Sequence, residues 1–214
     1  MSALVEKPGS GWSIDQAADL YQIEAWGEGY FAIDRRGHLS VRPNRRGEPA
    51  IDLKEVVDEL ADRGLQTPVV IRFGDVLEDR LARLHDAFAT AIEENGHPAI
   101  ARARSPIKVN QQRAVVDEVY RYGRRFGIGL EVGSEPELLA VIATAQEHDR
   151  LVVCNGFKDD GYIEAIVLAW KLGRSIIPIL ENVAELELVL RHSRDYDVRP
   201  RLGVRAKLSG QGEG

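Results

Sequence analysis

The sequence predicts an α/β fold: a partial (β/α) barrel of the TIM type, preceded by a short β-hairpin region. Short runs rich in Val, Ile and Leu, bounded by Gly or Pro, alternate with amphipathic helical stretches. The last five runs recur about every 22–26 residues, the length of one strand–loop–helix–loop unit. A doubly wound sheet would give the same alternation, but no G-x-G-x-x-G follows the first run, so the barrel is favoured.

The N-terminal part is predicted to differ from this repeat. Residues 1–11 are polar and contain Gly and Pro, which is typical of a loose tail. In residues 30–43, "YFAID" and "LSVRP" flank "RRGH", a pattern that predicts a β-hairpin. A helix is expected over residues 49–64, capped by Asp52 and Glu55 and followed by a glycine. We therefore expect two regions, the tail and hairpin of residues 1–48 and the barrel of residues 49–214.

Six runs in the second region are predicted to be parallel strands: 68–73, 106–110, 127–133, 150–156, 175–180 and 201–208. Two amphipathic stripes predict helices between them: Leu77, Leu81, Leu84, Phe88 and Ile92, then Ile163, Ile166, Val167 and Trp170. A TIM barrel needs eight strands. Because only six are found before the terminal "SGQGEG", we expect the barrel to be truncated at the C-terminus.

Composition argues against several classes of function. The net charge of −6 does not favour nucleic-acid binding, and no segment has the length and apolarity of a membrane span or signal peptide. A single cysteine, Cys154, excludes an intrachain disulfide, and the five histidines show no zinc-ligand spacing. These features predict a cytoplasmic protein with no nucleic-acid or membrane partner and no identifiable metal ligands.

Lys108 stands between two apolar residues in "SPIKVNQ". In a barrel, side chains at the carboxyl ends of the strands face the active-site mouth. Strand alternation would place Lys108 and Asn110 on one side, with Ile107 and Val109 on the other. A desolvated lysine can serve as an amine nucleophile. The alternative is a lysine whose stem packs while its head stays in water. Spacing alone favours neither.

Other polar residues are predicted at the same strand ends. Glu131, inside an apolar run, is expected to need a cationic partner such as Lys108 or Arg205. Ser134 is more typical of a helix cap than of a ligand contact. Lys158 is predicted to pair with the adjacent Asp159 and Asp160 in solvent. Cys154 is predicted to be a small core residue.

Several segments together resemble the biosynthetic arginine decarboxylases: "PIKVNQQ", "GLEVGSEPELL", "CNGFKD", "YIEAIVLAWKLGR" and "RPRLGVRAKL". The resemblance extends over residues 12–208. It implies an alanine-racemase-like barrel and a pyridoxal 5'-phosphate-dependent lyase that converts L-arginine to agmatine and CO2 for polyamine synthesis. It also implies a magnesium requirement and a homo-oligomer in the full-length protein.

The same resemblance assigns roles to residues. Lys108 matches the lysine that carries the cofactor as a Schiff base, and is the predicted catalytic residue. Glu131, Ser134 and Arg205 are the other predicted cofactor-binding residues. Ser105 departs from the family pattern, which has a tyrosine there. Because the phosphate-binding loop and C-terminal domain belong to later segments, we expect this chain to have little activity. The alternatives are a non-catalytic barrel fragment that binds a partner, and a decarboxylase of another basic amino acid.

Overall fold

The structure is a computed structural model that describes residues 11–45, 50–144 and 150–206. The chain divides into two compact units, Met1–Asp79 and Arg80–Gly214. The division predicted from the sequence, at residue 48, stays a prediction. The loose tail predicted for residues 1–11 lies almost wholly outside the described residues.

The first unit contains a three-stranded antiparallel sheet with helices at both ends of its sequence. Its elements are α1 (Ile14–Leu20), α2 (Ile23–Gly27), β1 (Phe31–Ile33), β2 (Leu39–Val41), β3 (Ile51–Asp52), α3 (Leu53–Asp62) and the start of α4 (Gly74–Glu94). The predicted hairpin is confirmed: β1 pairs with β2, with Ala32 opposite Ser40. Asp52 caps α3 by accepting from the backbone N–H groups of Lys54 and Glu55, which confirms its predicted role.

The second unit carries a five-stranded parallel sheet in the order β4-β5-β6-β7-β8. Its further elements are β4 (Arg104–Pro106), α5 (Arg113–Tyr122), β5 (Gly129–Val132), α6 (Glu135–Thr144), β6 (Val152–Cys154), α7 (Asp160–Lys171), β7 (Ile176–Leu180), α8 (Val183–Asp195) and β8 (Gly203–Val204), with 3₁₀ turns at Ile107–Val109 and Gly123–Phe126. Because the strands follow chain order in one direction, with no switch point, the sheet is part of a barrel and not doubly wound.

One face of this sheet is covered by helices. Alternate strand residues, such as Leu130, Val152 and Ile176, are buried there, and Ile163 and Val167 of α7 pack beside Leu180 and Val189. The residues between them, such as Val153 and Ile177, are only half-buried. The covered face therefore holds the hydrophobic core, as the predicted apolar stripe of α7 indicates.

One of the six strand predictions is wrong, and another strand is displaced. Residues 68–73 form neither helix nor strand, and Val70 is 79% exposed. An apolar run becomes a strand only where a neighbour accepts its backbone hydrogen bonds, and the described residues offer this run none. The run at 106–110 is displaced, because the strand ends at Pro106 and a 3₁₀ turn follows. Five of the six predicted strands therefore form.

Candidate functional site

The carboxyl ends of β4 to β8 lie along one edge of the parallel sheet, which we call the strand-end edge. Parallel strands bring the residues that follow each of them to the same side. Lys108 follows β4, Ser134 follows β5 and Lys158 follows β6, while Glu181 follows β7 and Arg205 follows β8. The sheet therefore gathers cationic, acidic and hydroxyl side chains along one edge.

Lys108 is exposed in the 3₁₀ turn after β4. The prediction of a lysine within a buried strand is wrong, since the strand has already ended. Ile107 is 6% exposed and Val109 is 77% exposed, so these two residues do not share the side that strand alternation would give them. No hydrogen bond or ion pair engages the Lys108 amine within the described residues. The amine is therefore available to a ligand.

Glu131 lies in β5 on the face that the helices leave open. Its neighbours Leu130 and Val132 are buried on the other face, and Glu131 itself is half-buried. Within the described residues it forms no ion pair with Lys108 or Arg205, the partners considered from the sequence. A half-buried carboxylate keeps part of its hydration, so it does not need a fixed cation.

Ser134 occupies the N-cap position of α6. Its backbone oxygen accepts from Leu138 N at 3.0 Å. The side-chain hydrogen bond at this helix end comes from Glu137, whose Oε2 accepts from Gly133 N at 2.7 Å. Ser134 also lines a groove of about 530 Å³ between α5 and α6, together with Gln111 and Ala140. Ser134 therefore lies at the strand-end edge and also lines this groove, which neither Lys108 nor Arg205 does.

Arg205 forms an ion pair with Glu181, with Nη1 donating to Oε1 at 2.6 Å. The Arg205 side chain is 55% exposed and that of Glu181 is 17% exposed. Sequence analysis did not select Glu181. Its position directly after the apolar run 175–180, like that of Arg205 after its own run, was the available signal. The pair leaves most of the guanidinium open to an additional anionic ligand.

Lys158 is fully buried, with 0% of its side chain exposed, so the prediction of a solvent-exposed pairing is wrong. Its ammonium lies 3.4 Å from Glu185, which is 1% exposed. The adjacent aspartates have other partners: Asp159 caps α7 and Asp160 contacts Arg191 and His192. The charge of Lys158 is therefore compensated by a residue far along the chain. The residues next to Lys158 in sequence do not indicate that partner.

Cys154 is a core residue, as predicted. It is 0% exposed, and burial raises the pKa of its thiol to about 12. A thiol that holds its proton so firmly is a poor nucleophile. Cys154 therefore contributes packing and not chemistry.

A separate polar cluster in the first unit was missed from the sequence. Asp34, His38 and Asp52 bring potential metal-ligating atoms within 4.8 Å of one another. However, Arg36 forms ion pairs with both aspartates, and His38 Nδ1 contacts Asp52 Oδ2 at 2.8 Å. The hydrogen bond from His38 is the main cause of a lowered pKa at Asp52. Magnesium prefers an octahedron of oxygen ligands and water. A cluster already neutralised by arginine does not fit it.

Comparison with known proteins identifies the family. The profile described as "Pyridoxal-dependent decarboxylase, pyridoxal binding domain" matches residues 79–213. The chain belongs to this family. Among similar members, the biosynthetic arginine decarboxylase of Gloeobacter violaceus is 46% identical over 203 residues, which are 95% of this chain and 32% of that protein. The enzyme of the same name from Bacteroides thetaiotaomicron is 44% identical over the same coverage.

A solved structure supports the same relationship. The crystal structure of the biosynthetic arginine decarboxylase SpeA from Campylobacter jejuni matches with a TM-score of 0.80 and 28% identity, over 88% of this chain and 31% of that chain. The predicted partial barrel is thereby confirmed. The chain spans about a third of the length of these pyridoxal-dependent decarboxylase relatives.

The strand-end edge fits the cofactor of this family. Pyridoxal phosphate attaches covalently to a lysine amine and carries an anionic phosphate, a group that arginine binds well. Lys108 offers an exposed amine without a partner among the described residues, and Arg205 offers an exposed guanidinium.

In the part of the chain that the structure describes, no helix is long and apolar enough to cross a bilayer.

Proposed function

We propose that this chain serves the pyridoxal phosphate-dependent decarboxylation of L-arginine to agmatine and CO2, with Lys108 as the catalytic residue that carries the cofactor. The observation that carries the proposal is the exposed amine of Lys108 at the strand-end edge, in a chain of the pyridoxal-dependent decarboxylase family. The proposal of arginine as substrate is supported by relatives that are named biosynthetic arginine decarboxylases.

Four residues of the chain would contribute to the proposed reaction together with the cofactor. The bound cofactor supplies the electron sink that makes loss of a carboxylate feasible. Lys108 would hold the cofactor covalently through its side-chain amine. Glu131 presents a carboxylate on the open face of β5, where it can interact with a cationic ring. Arg205 presents a cation for an anionic group, and Ser134 a hydroxyl at the start of α6.

From the resemblance to the family we also propose that agmatine enters polyamine synthesis in the cytoplasm and that the enzyme is a homo-oligomer. Magnesium is proposed only from the resemblance to the family, because the Asp34, His38 and Asp52 cluster does not fit it.

Covalent labelling tests the role of Lys108. The purified chain is incubated with pyridoxal phosphate, reduced with borohydride and digested for mass spectrometry. We expect a visible absorbance band before reduction and a label on Lys108 afterwards. Lys108→Ala should lose both, whereas Lys171→Ala, which removes an exposed lysine on α7, should keep them. A label absent from Lys108 would falsify the proposed function and favour a non-catalytic barrel.

Product analysis tests the substrate. The pyridoxal phosphate-treated chain is given L-arginine, L-ornithine and L-lysine separately, and released CO2 and amine are quantified. We expect agmatine to be the preferred product. The rate should be low, because β4 and β8 each have one hydrogen-bonded neighbour among the described strands, so the sheet does not close. Faster release of putrescine or cadaverine would reassign the substrate.

A further inference from the structure

Lys158 uses its whole hydrogen-bonding capacity inside the protein. Its Nζ donates to Gly156 O at 2.7 Å, to Ile179 O at 2.5 Å and to Glu185 Oε2 at 3.4 Å. An ammonium has three N–H groups, and these acceptors occupy all of them. They belong to the loop after β6, to β7 and to α8, so one side chain joins three elements.

Glu185 fixes two backbone segments at the strand-end edge. Its Oε1 accepts from Lys158 N at 3.0 Å, and its Oε2 accepts from Glu181 N at 2.9 Å. Its own backbone N donates to Asn182 Oδ1 at 3.0 Å, which caps α8. The buried pair therefore sets where the chain lies directly after β6 and directly after β7.

This constraint extends to Arg205. The side chain of Glu181, whose backbone Glu185 holds, accepts from Arg205 Nη1 at 2.6 Å. The backbone N of Arg205 donates to Leu180 O at 3.0 Å. The exposed guanidinium is thus held through Glu181 by a pair that itself never reaches solvent. We call Lys158, Glu185, Glu181 and Arg205 the strand-end cluster.

Stability alone does not account for the buried pair. Removing two charges from water costs several kcal/mol per ion, and apolar replacements of buried pairs are often neutral or stabilising. An apolar pair would, however, leave the backbone N–H groups of Lys158 and Glu181 without the acceptors that Glu185 supplies. The arrangement is therefore suited to fixing geometry.

We propose that Lys158 is a positioning residue: through Glu185 and Glu181 it orients Arg205 toward an anionic group of the cofactor. The inference rests on the proposed function, since it assumes pyridoxal phosphate at the strand-end edge. Lys158 does not touch the cofactor, because its amine is fully buried. The affinity for pyridoxal phosphate would then depend on a fully buried residue that does not contact the cofactor.

A double-mutant cycle with Arg205 tests the inference. Pyridoxal phosphate titrations compare the native chain with Lys158→Met, Arg205→Ala and the double variant, and Lys171→Met is the matched control. We expect Lys158→Met to weaken binding about tenfold, as loss of supporting residues around a bound group does. In the Arg205→Ala background the same change should alter affinity by less than about twofold, because its effect passes through Arg205.

A measurement without cofactor separates positioning from stability. The Nε–H NMR signal of Arg205 should shift in Lys158→Met toward its position in Glu181→Gln, and stay unchanged in Lys171→Met. If Lys158→Met does not fold, Lys158→Met/Glu185→Gln removes the unpaired charge and takes its place in the cycle.

The outcomes separate the inference from the proposed function. Additive effects of Lys158→Met and Arg205→Ala, or an unchanged Arg205 signal, would overturn the positioning role while leaving the labelling of Lys108 intact. Absence of pyridoxal phosphate binding and of Lys108 labelling in the native chain would overturn both.

Discussion

Gly156 lies where two loops of the strand-end edge meet. Its backbone has φ +76°, and a Cβ there would lie 2.3 Å from Gly133 O. The left-handed conformation and the contact both exclude a larger side chain. Gly156 therefore allows the loop after β6 to pack against the loop after β5, next to Ser134 at the N-cap position of α6.

Gly156→Ala is expected to lower the free energy of unfolding by about 3 kcal/mol or more, combining backbone strain with a steric clash. Gly127→Ala is the matched control. It also has a positive φ, +64°, but nothing within 4 Å of the added methyl group. It should cost about 1 kcal/mol. Urea unfolding of both variants measures the difference, and equal losses would contradict the close approach.

Two lysines show the limit of prediction at this scale. Lys108 stands in an apolar run and was expected in a buried strand, whereas Lys158 stands beside two aspartates and was expected in solvent. The structure gives the opposite exposures. Burial of a lysine depends on partners distant in sequence, and Glu185 is 27 residues from Lys158. The position of each lysine after an apolar run still indicated its place in the fold, because Lys108 and Lys158 both lie at the strand-end edge.

At the scale of elements, α7 and α8 are joined by a surface network. Asp160 begins α7, and its Oδ1 lies 2.7 Å from His192 Nε2 near the end of α8 and also contacts Arg191. The network therefore links the N-terminus of α7 to the C-terminal part of α8.

The hydrogen bond from His192, followed by the charge of Arg191, lowers the pKa of Asp160 below its ordinary value of 3.8. A carboxylate with a lowered folded-state pKa contributes stability above its unfolded pKa and loses it as pH falls through the folded value. Asp160→Asn should therefore unfold more easily than the native chain at neutral pH, and the gap should close below pH 3.8.

Urea midpoints across the acid range measure this effect. Asp86→Asn, on exposed α4, controls for the change in net charge. A gap between Asp160→Asn and the native chain that stayed constant with pH would show that the carboxylate charge is not responsible.

Local patterns predicted elements well where the determinants are local. Asp52 caps α3 as its spacing indicated, because a cap bond joins residues two or three apart. The apolar run at 68–73 has the same composition as true strands but forms none. Strand formation needs a hydrogen-bonded neighbour, and composition contains no information on that pairing.

At the scale of the whole molecule, α4 exposes part of its apolar stripe. Leu84 is 47% exposed and Phe88 is 54% exposed, one helical turn apart. Exposed apolar side chains grouped on one helix face favour association with another surface. The edge strands β4 and β8 add backbone groups that can pair with another chain.

The purified chain is therefore expected to self-associate as its concentration rises, and Leu84→Lys/Phe88→Lys should shift it toward the monomer. Sedimentation velocity over a concentration series measures the shift. Leu139→Lys, at a leucine that is 52% exposed on α6, is the control and should change association less. Equal effects of both changes would assign the association to surfaces other than α4.

The ammonium of Lys158 also has a consequence for the order of folding. Its acceptors come from three elements, and the farthest of them is supplied by α8. Until α8 docks beside β7, a dehydrated Lys158 would lack its countercharge, so water must remain around it. We therefore expect this part of the protein to lose its last water, and the strand-end edge to acquire its final shape, only when α8 docks beside β7.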